Sequence, residues 1–412
     1  PALDMSALRA WNSATSKLSL RVIIVLVSPK QLMVGCLHNM NNEILFSRRT
    51  FLTASGLAAT RAVLSGGVSA ASDGTLAKKQ PIKIGQIGTA NQHANKIGTL
   101  RKLPDLFEVV GFVEDDPKLR EKALKSRSFQ GLEVMSTDEL LAFPGLQAVA
   151  VETEERVCIP PALRCIRAGK HIHLDKPCGE SLPEFKQLLD EAEAGNLTVQ
   201  VGYMYRNNPA VQFCIQAVKD GLIGSVFDLD TAMGRYDGGS YRNLIKDYKG
   251  GIAYILACHL IDIVVSLMGE PERITPYLRQ TRSDGVLDNC LAVFEFSRDR
   301  LATIRTSIAE AQGFPRRRLK VLGDKGSIII QPIESQGNMS GGVLTLALEE
   351  DRGGFKKGIQ TVDMPPLKDR YEDQWREFAA VLNGEMVNPY TYEHDYIVHK
   401  SHLQACGMPL DV

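Results

Sequence analysis

The sequence predicts an α/β protein: an N-terminal Rossmann-type parallel sheet, then an α+β domain on a large, mainly antiparallel open sheet. Three observations carry this expectation. From Pro81 to Gly202 short apolar runs alternate with helical stretches of a dozen residues or so, the pattern of right-handed βαβ units. After Tyr203 the alternation stops, and strand candidates follow one another closely. Within the first half, Gly169-Lys170-His171-Ile172-His173-Leu174-Asp175-Lys176-Pro177 reads as a helix-ending glycine, a short strand, and then an acid, an amine and a proline that stops pairing.

Taken in order, Ile82–Gly88 is the first strand. A helix with Ile97, Leu100 and Leu103 on one face follows and stops at Pro104. Phe107–Val113 is the second strand, ending in Glu114-Asp115-Asp116, with Pro117 placed for the first turn of a helix. Ser136 to Glu139 reads as a capping box. Ala148–Glu152 is a buried strand, Pro160-Pro161 opens a helix that Gly169 closes, and Ser181 caps another before the strand Val199–Gly202. In the second half, residues 211–222 and Ile252–Met268 are helical. Strands are expected from Phe227, at Cys290–Phe296, Leu301–Ile308, Arg318–Leu322 and Ser327–Ile330, and at 343–349, with Gly323 to Gly326 as a hairpin turn. Tyr371, Trp375, Phe378, Ala379 and Leu382 form the apolar face of a late helix.

At 412 residues the chain has room for one large core or two domains. Lys+Arg and Asp+Glu both number 48, so the totals show no single-sign field for nucleic acid or an anionic membrane. No run approaches the roughly 20 apolar residues of a membrane span. The eight cysteines show no zinc-type spacing, and Cys158, Cys165, Cys214 and Cys258, in apolar helical contexts, read as buried thiols. Asp395, His399 and His402 have helical spacing that would suit a metal, but no metal is expected there.

Residues 1–80 read as a leader, 81–202 as a nucleotide-binding domain and 203–412 as a substrate and oligomerisation domain. Ser47-Arg48-Arg49-Thr50-Phe51-Leu52 resembles the twin-arginine export signature, followed by small apolar residues to Val68 and a cleavage-type Val68-Ser69-Ala70. Met40 would begin an n-region of normal length, while Arg61 is an unfavourable charge inside the apolar stretch. The expectation is export to the periplasm or another extracytoplasmic space, with the cytoplasm as the alternative.

Gly88-Thr89-Ala90-Asn91-Gln92-His93 is a degraded phosphate loop, in which Gly88 makes the turn, Ala90 permits close backbone approach and His93 replaces the third glycine. Glu114 stands where a carboxylate holds the adenosine ribose and repels a 2′-phosphate, which favours NAD over NADP; as a bare residue it equally caps the next helix. Gly88, Ala90, Asn91, Gln92 and Glu114 are the cofactor-binding candidates of this reading.

These features together resemble the glucose-fructose oxidoreductase and inositol dehydrogenase (Gfo/Idh/MocA) family. Its Glu-Lys-Pro motif is Asp175-Lys176-Pro177 here. The segment Tyr203-Met204-Tyr205-Arg206-Asn207-Asn208-Pro209 and the helix Gly250-Gly251…His259-Leu260-Ile261-Asp262 match two more motifs, and residues 323–327 a fourth. The resemblance implies a homodimer or homotetramer and NAD(P)-dependent hydride transfer with a sugar, sugar acid or polyol. By the same resemblance, Thr153, Asp175 and Lys176 are expected to join the cofactor-binding residues. Lys176 would bind the substrate oxygen, with burial lowering its pKa, and His259 would take the proton. Arg206 and Asp262, together with Tyr236 from the Arg235–Tyr248 loop, are substrate-side residues by the same reading, although that loop also reads as a solvated surface. Two departures stand out: the aspartate usual four residues before the histidine is Ile255, and a histidine usual after the third nucleotide-binding strand is Cys158. They leave room for a redox-neutral NAD-dependent glycosidase or a non-catalytic ligand-binding relative.

Overall fold

The computed structural model describes residues 20–28, 31–38, 51–53, 79–334 and 341–411. The chain divides into two units, Pro1–Lys78 and Lys79–Val412. In the first, where a leader is expected, β1 (Leu20–Ser28), β2 (Gln31–His38) and β3 (Phe51–Thr53) pair as an antiparallel sheet in that order. The residues Ser47 to Thr50 of the twin-arginine resemblance lie outside the described residues.

The second unit opens with β4 (Ile82–Ile87), α1 (Ile97–Leu100), β5 (Phe107–Val113), α2 (Pro117–Lys125), α3 (Thr137–Leu141), β6 (Ala148–Val151), α4 (Ile159–Arg167), β7 (His171–Leu174), α5 (Leu182–Ala194) and β8 (Val199–Val201). The five strands are parallel in the order β5-β4-β6-β7-β8. A single parallel bridge, Phe112 to Val134, adds a vestigial strand outside β5, so the chain runs outward from β4 and then returns to its other side. The order therefore reverses between β4 and β6, and the crevice at their C-terminal ends is where open α/β sheets bind ligands.

Local chemistry sets these elements. Asp116 accepts from the amides of Lys118 and Leu119, and Pro117 occupies the first turn of α2. Ser136 and Glu139 form the reciprocal box of α3. Gly169 closes α4 in a Schellman arrangement: its amide donates to the Ile166 carbonyl (2.8 Å) and the Lys170 amide to Cys165 (3.0 Å). The chain thereby enters β7, one strand in from the β8 edge of the sheet, and β7 delivers Asp175-Lys176-Pro177 to the crevice.

The remaining elements are α6 (Pro209–Lys219), β9 (Val226–Gly234), α7 (Ser240–Ile245), α8 (Ile252–Met268), β10 (Arg273–Arg279), β11 (Asn289–Phe296), β12 (Arg300–Ser307), β13 (Arg318–Gly323), β14 (Gly326–Ile330), β15 (Leu344–Leu348), β16 (Gly358–Val362), α9 (Glu372–Leu382) and α10 (Tyr392–Ala405). The strands make an eight-stranded sheet, β10-β11-β12-β9-β13-β14-β15-β16, antiparallel except for β12 against β9. The apolar α8 is buried along nearly its whole length. Helix α9 packs back on the nucleotide-type sheet, where Trp375, Phe378 and Ala379 meet Ile82, Ile84, Phe107, Ala148 and Ala150. Among the described residues no helix is long and apolar enough to cross a membrane.

Candidate active site

Where β4 ends, Gly88 has φ +88°, and a Cβ there would lie 2.6 Å from the Thr153 amide nitrogen, so only glycine lets the loops after β4 and β6 pass this closely. The Thr153 Oγ1 is buried and has no partner among the described residues. The Asn91 amide donates to the Glu152 carbonyl (3.1 Å), which ties the loop to the end of β6. Glu114, at the end of β5, accepts from the Thr89 amide (2.8 Å) and hydroxyl (2.7 Å). Its other oxygen accepts from the Asp116 amide (3.1 Å). Ala90 and Gln92 are exposed. A close-approach glycine, an orphaned hydroxyl and a carboxylate at the second strand end fit a dinucleotide across this crevice.

Beside this crevice lies a cavity of about 270 Å³, lined by both halves of the unit. Lys176, Glu155, Gln92 and His93 come from the nucleotide-type half, and Tyr241, Ile255, His259, Arg235 and Arg317 from the other. The Lys176–Pro177 peptide is cis. Lys176 is buried, yet among the described residues its ammonium makes no hydrogen bond or ion pair. Burial was expected to lower its pKa. The structure corrects this: burial does oppose the charge, but Cys258, Asp175, Glu155 and Tyr241 outweigh it, and the pKa is raised. Burial pushes the Cys258 thiol up to about 12, so at neutral pH the charges that hold the ammonium are carboxylates. Glu155 is itself raised by burial and accepts a 2.6 Å bond from the Tyr248 hydroxyl.

Asp175 does not pair with Lys176. It accepts 2.9 Å bonds from His93 Nδ1 and from Lys96 Nζ. Its approach to Gly202 leaves no room for a side chain there, since a Cβ would stand 2.5 Å from Asp175 Oδ1. Lys96 is sealed inside, with His173 Nε2 at 3.0 Å and Glu152 at 3.1 Å. Its ammonium occupies the middle of a Glu152–His173–Asp175 cluster whose ligand spacing would suit a metal. The Glu152 contact is an ion pair without hydrogen-bond alignment, and burial raises that carboxyl to about 8. Asp175 is held well below the usual carboxylate range: burial works against its charge, and Lys96 and His93 overcome it.

Because a carboxylate only accepts, the neutral His93 ring carries its hydrogen on Nδ1 and keeps the Nε2 lone pair free. Burial lowers its pKa to about 4, against the pull of Asp175, so the imidazole is neutral at pH 7. His259 lines the same cavity in a different state. Its Nδ1 is buried without a partner among the described residues, Tyr203 and Tyr205 flank the ring, and burial and Lys176 hold its pKa well below the ordinary value. One turn earlier Ile255 contributes an apolar wall.

The other expected substrate-side residues do not line this cavity. Arg206 and Asp262 meet each other in a buried bidentate pair (2.7 to 3.2 Å), and Arg206 also reaches Asp395 at 2.5 Å. This arginine fills the second metal-like cluster, Asp262–His394–Asp395. His402 Nε2 donates to the Tyr254 carbonyl at 2.8 Å, and the His399 ring nitrogens have no partner among the described residues, so neither converges with Asp395. Tyr236 is largely exposed. Cys158 is buried against the Pro177 carbonyl (3.8 Å). Sequence reasoning missed His93, Lys96 and Glu155 as site residues. Only the loop position of His93 carried a signal, and it was read as a missing glycine.

Two family models match this chain: "Oxidoreductase family, NAD-binding Rossmann fold" over residues 82–203 and "GFO/IDH/MocA C-terminal domain" over residues 211–329. The chain belongs to the Gfo/Idh/MocA oxidoreductase family. An uncharacterised oxidoreductase of Schizosaccharomyces pombe is 27% identical over 206 residues, 49% of this chain and 56% of that protein. The scyllo-inositol 2-dehydrogenase (NAD+) of Bacillus subtilis is 28% identical over 229 residues, 52% of this chain and 65% of that protein. The match thus spans under two thirds of either relative. Among solved structures, one described as an NADPH-dependent oxidoreductase from Desulfitobacterium hafniense has a TM-score of 0.68 at 19% identity, covering 80% of this chain and 95% of its own. Levoglucosan dehydrogenase, solved with NADH and levoglucosan, has a TM-score of 0.65 at 18% identity, covering 80% of this chain and 98% of its own.

Proposed function

We propose that this chain is an NAD-dependent oxidoreductase acting on the hydroxyl of a sugar, sugar acid or polyol. The observation that carries the reading is Lys176: a buried, protonated amine without a hydrogen-bond or ion-pair partner among the described residues, lining a polar cavity beside the nucleotide crevice. An ammonium so placed is preorganised for an oxygen that gains negative charge as its proton leaves. Bound in the crevice, NAD supplies the hydride acceptor. Gly88 and Thr153 would approach its phosphates and Glu114 its adenosine ribose, where a carboxylate disfavours a 2′-phosphate.

The proton falls to this chain's own groups. His93, fixed by Asp175, offers a free Nε2 to the cavity, and Asp175 would stabilise the imidazolium that forms. His259 acts as a neutral hydrogen-bonding wall. Ile255, Leu256, Met204 and Phe314 complete an apolar lining that limits water. The scyllo-inositol dehydrogenase and levoglucosan dehydrogenase support the substrate class by analogy alone. The test is NADH absorbance on a panel of polyols, sugars and sugar acids, with Lys176→Ala beside the unaltered protein. The reading expects NADH with at least one of them and loss of turnover on substitution. NADH formation that Lys176→Ala leaves unchanged would contradict it.

A further inference from the structure

The charges around the cavity do not balance. Four cationic side chains line it, Lys176, Arg235, Arg317 and Arg370, against one carboxylate, Glu155. Three more carboxylates stand behind the lining, of which Asp175 is committed to His93 and Lys96. Asp237 accepts from Arg235 at 3.0 Å. Glu334 is shared: it pairs with Arg317, lies 3.4 Å from Arg370 and accepts from the Tyr205 hydroxyl at 2.9 Å. Asp175 and Glu155 hold Lys176 and Asp237 holds Arg235, so the local shortage of carboxylate falls on the two arginines that divide Glu334.

Of that pair, Arg317 is the better satisfied. It is buried, donates to the Gly234 carbonyl at 3.3 Å and stacks on Phe314 with 3.6 Å to the ring centre. Arg370 is not. Its Nη2 lies 3.4 Å from a Glu334 oxygen, and among the described residues its hydrogen bonds go only to the Met204 sulfur, from Nε at 3.1 Å and Nη2 at 2.8 Å. A thioether is a weak acceptor, so a five-donor guanidinium is left largely unused on the cavity wall. A planar fork held in place with free donors and only a shared counter-charge suits a carboxylate.

We propose that Arg370, backed by Arg317, forms a carboxylate subsite, and that the substrate is a polyhydroxy acid of the aldonate or uronate class. The hydroxyl end of such a molecule would lie toward Lys176, and its carboxylate toward Arg370. The inference rests on the oxidoreductase reading for the hydroxyl chemistry, whereas the carboxylate subsite follows from charge and geometry alone.

The test is calorimetric titration of the NADH-loaded chain with D-gluconate and D-glucuronate against D-glucose and scyllo-inositol, in wild type, Arg370→Met and Arg370→Lys. The acids are expected to bind about tenfold or more tighter than the neutral compounds, as charge-assisted pairing implies. Arg370→Met should abolish that preference and Arg370→Lys keep part of it, with NADH affinity unchanged in both. Equal binding of neutral and acidic compounds, no binding of either acid, or a loss of NADH affinity in Arg370→Met would each overturn the subsite. NADH formed only from neutral polyols would overturn the subsite and leave the oxidoreductase reading standing. Carboxylate binding without hydride transfer on any panel member would do the reverse.

Discussion

Two histidines line one cavity from opposite halves of the structured unit, and their second atoms separate them. His259 sits on the helix where the family usually places an acid–histidine pair, but Ile255 has replaced the acid and His259 Nδ1 has no hydrogen-bond partner among the described residues. His93 sits in the phosphate loop, where a glycine is usual, and its Nδ1 meets Asp175 at 2.9 Å. The acid–imidazole pair absent from the helix is thus present at the strand end. What makes an imidazole a base is a fixed tautomer with support for its charged form, and the fold can supply that from a different element.

The largest effects should fall on the dyad. His93→Gln is expected to lower kcat by about 10²- to 10⁴-fold, the usual worth of a positioned base, with NADH affinity within a few-fold by fluorescence titration. Asp175→Asn should approach that loss, because an amide can donate to Nδ1 and turn the ring's lone pair away from the cavity; ¹⁵N shifts of His93 report the tautomer directly. Lys96→Ala tests the support from behind. Removing one partner of a buried ion cluster costs about 3–5 kcal/mol, read as a lower urea midpoint. His259→Gln is expected to cost less than about tenfold in kcat, since a neutral hydrogen-bonding wall is replaced by another.

A pH series sharpens the same contrast. Burial lowers the pKa values of His93, His173, His259, His399 and His402, His93 and His402 to about 4 and His173 to about 3. Each binds its proton more readily in the unfolded chain, near the ordinary 6.5. Folding stability is therefore full above 6.5 and falls as the pH drops toward 4, by up to about 1.4 kcal/mol per pH unit for each group. A urea midpoint that stayed level from pH 7 to 4.5 would contradict the neutral, buried state assigned to these rings.

Much of the fold was legible because its elements carry local signals. The Ile252–Met268 helix and the Phe107–Val113 strand stand where apolar runs and caps put them. The strands that went unread, β10 and β16, are the two edges of the large sheet. Edge strands are half-wetted and keep no clean alternation, and β10 carries Pro276. In the site, Lys176 and His259 could be named from short motifs. His93 and Lys96 could not, because their meaning depends on Asp175, 82 and 79 residues downstream, which only the parallel pairing of β4, β6 and β7 brings against them. Arg206 and Asp262 show the converse: a motif match whose side chains neutralise each other away from the cavity.

Proton acceptance, as hydride leaves the substrate, is the part we assign to the dyad of His93 and Asp175 and not to His259. Its most direct measurement follows deuterium from carbon-deuterated sugar acids and polyols into the nucleotide by mass spectrometry, in wild type, His93→Gln and His259→Gln. Wild type should carry one deuterium into NADH, His93→Gln should do so about 10²-fold or more slowly, and His259→Gln at a rate within about tenfold of wild type. Transfer that survives in His93→Gln and disappears in His259→Gln would return the base to the helix and contradict the account.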